Sequence, residues 1–193
     1  MIYIEPRNYQ SMITMPLLMT IFEHQTILDA AFLEVANRYP EPDDRLDAAF
    51  DEAAEFVAEF KTINKYWTIK NTDFDKVLDE HSDIIHFIVG YMIAVGKTPK
   101  NLYYRLGHYY DNLIEDYDDM MDHGHNYPEY WQKVRFFLRI IRRSDSPMEQ
   151  LAAATIILGM CGFTEADILR QYEIKRDENY RRIAKTAKGE NDR

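Results

Sequence analysis

Apolar residues recur at intervals of three and four through most of the chain, and the alternation that marks half-buried strands is nearly absent. This pattern predicts an all-α fold, a helical bundle of about six to seven helices. Pro16 to Tyr39 reads as the first helix, closed by "YPEPDD". Arg45 to about Lys61 reads as the second, with Leu46, Phe50, Ala53, Val57 and Phe60 as its apolar stripe. A third runs from about Asp73 to Val95. After "GKTPKN" the pattern resumes from Leu102 to about Asp122, is closed by "HGHNYP", and continues from Glu129 to about Arg142 through "VRFFLRII". Ser146 then stands as an N-cap with Pro147 at the first helical position and Glu149 three residues after the cap, opening a helix that stops at Gly162. Thr164 with Asp167 opens a long last helix, and a polar tail over 186–193 is expected to fray.

Within this pattern the third helix carries an anomaly. Glu80 and Asp83 lie within about 60° of each other on a helix whose remaining faces are apolar, with Ile84, Phe87 and Tyr91 on or beside the same stripe. Ionised carboxylates are rarely buried without a base, a proton or a metal beside them. On the second helix Glu52, Glu55 and Glu59 also share an arc, set apart from the apolar stripe, where a solvated face is an equally good account. Two helices that each offer carboxylates at i and i+3 can surround a hard divalent cation with oxygen. Mg²⁺ accepts such ligands and keeps room in its shell for phosphate oxygens. A polyphosphate also needs cationic donors, and on the last helix Tyr172, Lys175, Asn179 and Arg182 fall within about 80° of arc.

Composition narrows the partners. The 193 residues suit one domain, and 23 basic against 33 acidic side chains give a formal charge of -10, which argues against nucleic acid or an anionic membrane as the main partner. A single cysteine, Cys161, rules out an internal disulfide framework and fits a reducing, cytoplasmic setting. No apolar run reaches the roughly 18 residues of a membrane span, and the N-terminal stretch, broken by Glu5, Pro6 and Arg7, does not read as a signal peptide.

Taken together, "EAAE" (Glu52 to Glu55), "KYW" (Lys65 to Trp67), "EHSDIIHF" (Glu80 to Phe87) and "YEIKRDENYRR" (Tyr172 to Arg182) resemble, in this order, the all-α nucleoside triphosphate pyrophosphohydrolases. This is the MazG-like superfamily, and the likeness is to its dimeric dUTPases and their phage dCTPase relatives. The resemblance implies Mg²⁺-dependent hydrolysis of a deoxynucleoside triphosphate, with dUTP favoured, to the monophosphate and pyrophosphate, by a homodimer. It further implies that Glu52, Glu55, Glu80 and Asp83 hold Mg²⁺, with one of the glutamates also orienting the attacking water. Lys175, Asn179 and Arg182 would contact phosphate or sugar. "EHQTILD" resembles the family's Gln-x-x-Leu-Asn and implies Gln25 and position 29 near the base, with Lys65 and Trp67 walling the pocket.

The chain departs from the family pattern in three places. Asp29 stands where dUTPases carry Asn, and a carboxylate cannot donate as an amide can. After Arg182, "IAKTAKG" replaces the usual Gln-Asp-x-Gly-Tyr, leaving Arg181, Lys185 or Lys188 as candidate substitutes for the phosphate-closing residues. The segment 100–146 has no counterpart in the motifs and is a candidate family-specific helical insertion within a single domain spanning 1–193.

Other readings compete. dCTP or a modified nucleotide is an alternative substrate, and a helical nucleotide-binding module without turnover is an alternative class. A di-iron carboxylate protein is a third, since Asp83 with His86 and Asp122 with His125 echo that pattern. His86 by itself reads as a hydrogen-bonded core histidine, "DHGH" as a solvated turn, and the tyrosines of "NLYYRLGHYYDNLIEDYDD" as packing or an interface.

Overall fold

The structure, a computed structural model, describes residues 12–36, 40–61, 71–122 and 130–189. These residues form seven helices and no strand: α1 (Met15–Val35), α2 (Pro42–Glu59), α3 (Phe74–Ala94), α4 (Pro99–Asp122), α5 (Tyr130–Arg143), α6 (Pro147–Met160) and α7 (Glu165–Ala187). The all-α expectation holds.

Two prolines that sit in loop signals of the sequence turn out to open helices. α2 begins at Pro42, not Arg45, because Glu41 and Asp44 form a capping box around it. α4 begins at Pro99, not Leu102, where the Thr98 hydroxyl accepts from the Asn101 amide and the Asn101 side chain accepts from the Thr98 amide at 2.9 Å. In both, proline occupies a position whose missing N–H would be unpaired anyway. α1 ends at Val35, short of Tyr39, and residues 37–39 lie outside the described part. The later caps are as read: Ser146 accepts from the Glu149 amide, and Thr164 and Asp167 cap one another. Gly162, at φ 89°, lets the Phe163 amide turn back to the Leu158 carbonyl at 3.1 Å, ending α6 where the sequence places the stop.

α6 is buried at every position except Glu149, as its uninterrupted apolar sequence requires. α4 and α5 both pack on it, α5 through Val134, Phe137, Leu138 and Ile141, as do α2 and α3. The described parts of the segment 100–146 therefore cover the most apolar of the described helices. No single helix among the described residues is long and apolar enough to cross a membrane.

α2 and α3 make the most extensive helix pair. The buried face of α2 is Arg45, Ala49, Ala53, Phe56 and Val57, so Leu46 and Phe50 of the expected stripe are only half-buried. Small Ala49 and Ala53 allow the close approach and rotate the helix about its axis relative to that stripe. Arg45 crosses α3 at Gly90, while Glu52 meets Glu80 and Asp83, so the two helices run antiparallel. α1 and α7 pack together and against α3.

α4 and α5 contribute to the same buried apolar cluster as the other helices, and Phe137, fully buried and packed on Tyr117 and Phe136, tests whether they unfold together. Phe137→Ala is expected to destabilise the protein by about 3–5 kcal/mol in urea unfolding with one cooperative transition. Two separated transitions would mean that α4 and α5 fold as their own unit.

Candidate functional site

A cavity of about 610 Å³ opens between α1, α2, α3 and α7. Its lining includes nearly every residue that sequence reasoning singled out within the described part: Gln25, Asp29, Glu52, Glu55, Glu80, Asp83, Lys175, Asn179 and Arg182. Lys65 and Trp67 lie outside the described residues, as do His123 and His125.

At one end, Glu52 from α2 meets Glu80 and Asp83 from α3, with one carboxylate oxygen of each within 4.8 Å of the others. All three are half-buried. Glu55, one turn further along α2, is exposed and contributes its charge to Glu52 and Glu80 from the rim of the cluster. Glu59 instead pairs with Lys61 at 2.8 Å, a surface role. Burial, then the charges of Asp83, Glu80 and Glu55, push the Glu52 carboxyl up to about 7. Glu80 and Asp83 are also raised, each mainly by burial. Burial and mutual repulsion thus raise the affinity of all three carboxylates for a proton or another positive charge.

Lys175 from α7 partly balances them. Its ammonium bridges Asp83 at 2.7 Å and Asp79 at 2.9 Å. Burial pulls its pKa down, but the hydrogen bonds and charges of Asp83 and Asp79 outweigh that and leave it raised. Asp79, which also accepts from Gln171 at 2.8 Å, escaped sequence reading because it is one residue off the motif. Asn179 and Arg182 follow Lys175 along α7 toward the opening, with Arg182 exposed. α7 continues through "IAKTA" as helix, and Arg181, Lys185 and Lys188 are exposed. Among the described residues these three do not line the cavity.

The other end is a buried polar chain walled by Leu28, Phe32 and Phe87. Gln25 donates from Nε2 to Asp29 at 2.8 Å and accepts at Oε1 from His86 Nδ1 at 2.7 Å and from the Tyr172 hydroxyl at 3.2 Å. Since that oxygen can only accept, His86 carries its proton on Nδ1. The His86 ring stacks on Tyr172 with 4.2 Å between centroids. Burial pulls the His86 pKa down to about 3, which keeps the ring neutral. His86 is thus the hydrogen-bonded histidine expected, and it also lines the cavity. Asp29 forms a buried two-point pair with Arg45, Oδ1 to Nη1 at 3.2 Å and Oδ2 to Nη2 at 3.0 Å. Arg45 carried no signal in the sequence beyond its place at the head of α2.

A cation fits the carboxylate end on three grounds: an all-oxygen donor set, an excess of acid over Lys175, and proton affinities raised by burial and by the neighbouring carboxylates. The sign of the pH dependence follows. Glu52 is raised in the fold, so its contribution to stability is full below its ordinary value of 4.5 and is lost as pH rises through about 7. Metal-free protein is expected to lose this contribution between pH 5 and pH 7.5, and Glu52→Gln to lose less over the same interval, as read by urea unfolding in chelator. An equal loss in both proteins would show that Glu52 ionises normally.

A family model described as dUTPase matches residues 17–186, from the first turn of α1 to the last turn of α7, with α4 and α5 inside the matched range. No curated protein and no solved structure matches the chain. Members of the family generally use a divalent metal, in keeping with the acidic cluster. The match spans most of the chain and the fold is all-helical, so the chain belongs to the all-α dUTPase family, nucleoside triphosphate pyrophosphohydrolases that act on dUTP.

Proposed function

We propose that the cavity is the catalytic site and that Mg²⁺, held by Glu52, Glu80 and Asp83 with Glu55 beside them, is the working metal. One observation carries this reading: three carboxylates from two antiparallel helices converge in the cavity that also holds the buried polar chain of Gln25, Asp29 and His86. From Arg45 to Glu52 is seven residues of helix, about 10 Å, a span suited to a base at one end and a triphosphate at the other.

When bound, the metal would neutralise phosphate charge and lower the pKa of an attacking water. The protein's own groups supply the rest. Lys175, Asn179 and Arg182 present an ammonium, an amide and a guanidinium along one face of α7, placed to hold phosphate oxygens. Lys175 would leave part of its bond to Asp79 and Asp83 as substrate phosphate and metal take over those charges. Glu55, exposed at the rim and not shared with Lys175, is the glutamate best placed to orient the water that cleaves between the α and β phosphorus atoms. The products are the deoxynucleoside monophosphate and pyrophosphate. Apolar Leu28, Phe32 and Phe87 exclude water from the base.

We further propose a cytoplasmic homodimer. Met19, Ile27 and Leu33 leave an apolar strip exposed along α1 that a second copy would cover.

Glu80→Gln is expected to lower Mg²⁺-dependent release of pyrophosphate from dUTP by about 100-fold or more. In chelator the same variant should be at least as stable as the parent, since it removes a charge from a crowded cluster. Chromatography of the nucleotide products together with thermal melts reads both effects. Retained turnover in the variant, or turnover in chelator, would sink the metal assignment.

A further inference from the structure

The residue that the proposed reading leaves without a role is Arg45. Its guanidinium lies against α3 at Gly90, where a Cβ would come within 2.0 Å of Nη1 and 3.1 Å of Cζ. Only glycine at position 90 leaves that path open, and the path leads to Asp29. Both side chains of the pair are less than a tenth exposed.

The pairing decides what the base end of the cavity can offer. A carboxylate only accepts, so the Gln25 amide must turn Nε2 toward Asp29 Oδ1. A flip would set oxygen against oxygen and would abandon the contacts of Oε1 with His86 and Tyr172. The amide is therefore locked with its second N–H as its remaining polar group. Oδ1 of Asp29 is occupied by Gln25 and Arg45 together, and Oδ2 is sealed from solvent beneath the guanidinium. The acceptors of Asp29 are used up, so the second Gln25 N–H is left as a donor to a ligand, and the unpartnered Nε2 of His86 is the acceptor left for a ring N–H.

Given the nucleotide site proposed above, on which this rests, we propose that Arg45 is a specificity-determining residue that acts through Asp29 and Gln25. By occupying the carboxylate, it makes the pocket select a pyrimidine that presents a carbonyl oxygen at C4, as uracil does, and reject one that presents an exocyclic amine there, as cytosine does. A free Asp29 carboxylate would do the reverse, since it would accept from that amine. The Arg45–Asp29 pair thus restores the donor that an asparagine at position 29 would have supplied. Discrimination built on buried donors and acceptors is strong, because the wrong partner leaves them unpaired.

The test is the ratio of kcat/KM for dUTP to that for dCTP, measured with Mg²⁺ on the parent protein, Arg45→Met, Gly90→Ala and the double variant Asp29→Asn with Arg45→Met. Gly90→Ala displaces the guanidinium and removes no charge, so it carries the comparison if Arg45→Met does not fold, as checked by circular dichroism. The parent is expected to prefer dUTP. Each single variant should shift the ratio toward dCTP by about tenfold or more, mainly through KM. The double variant, with an amide and no guanidinium, should recover part of the preference. Equal losses for both substrates would show that Arg45 only supports the fold and would overturn the inference while leaving the pyrophosphohydrolase reading intact. Absence of pyrophosphate release by the parent from either substrate would overturn both.

Discussion

The close antiparallel contact of α2 with α3 is the constraint on which the rest depends. Ala49 and Ala53 bring the two backbones together, and the register that sets Arg45 over Gly90 also sets Glu52 beside Glu80 and Asp83. One packing choice thereby fixes both ends of the cavity. A side chain larger than alanine on that face of α2 would separate the carboxylates and withdraw the guanidinium from Asp29 in the same movement.

The cavity is built from opposed electrostatic demands. At one end acids are crowded until their proton affinities rise, and a lone ammonium, Lys175, holds two of them apart. At the other end a single acid and a single guanidinium are matched and buried, and neutral His86 and Tyr172 finish the hydrogen bonding. The first arrangement is unsatisfied without a ligand and therefore receptive. The second is paired internally through Arg45, Asp29 and Gln25, which suits a surface that must tell similar molecules apart.

Much of this was legible in the sequence, and the reasons are specific. Carboxylates at i and i+3 on an apolar helix are visible because periodicity places them on one face, and the Ser146 and Thr164 caps are visible because their partners are local. Pro42 and Pro99 misled because proline breaks a helix in its interior yet starts one at its first turn, and which applies depends on the cap before it. Arg45 and Asp79 were invisible for another reason: their meaning comes from Gly90 and Lys175, 45 and 96 residues away, and no local pattern encodes such a distance. Asp29 was noticed but read as a loss of donor ability, since its partner arrives from a different helix.

α7 gives this architecture a temporal consequence. It supplies Lys175, Asn179 and Arg182, and its Tyr172 reaches back to Ile21 and Gln25 on the first helix, while Thr14 donates to Glu165. On a ribosome, α1 to α6 emerge before any of these contacts can form. Through that interval the acids of α2 and α3 stand without their ammonium and Gln25 without its tyrosine, so the nascent chain can collapse around α6 before the cavity is complete. α7, made after the other six helices, is thus the one that finishes the cavity.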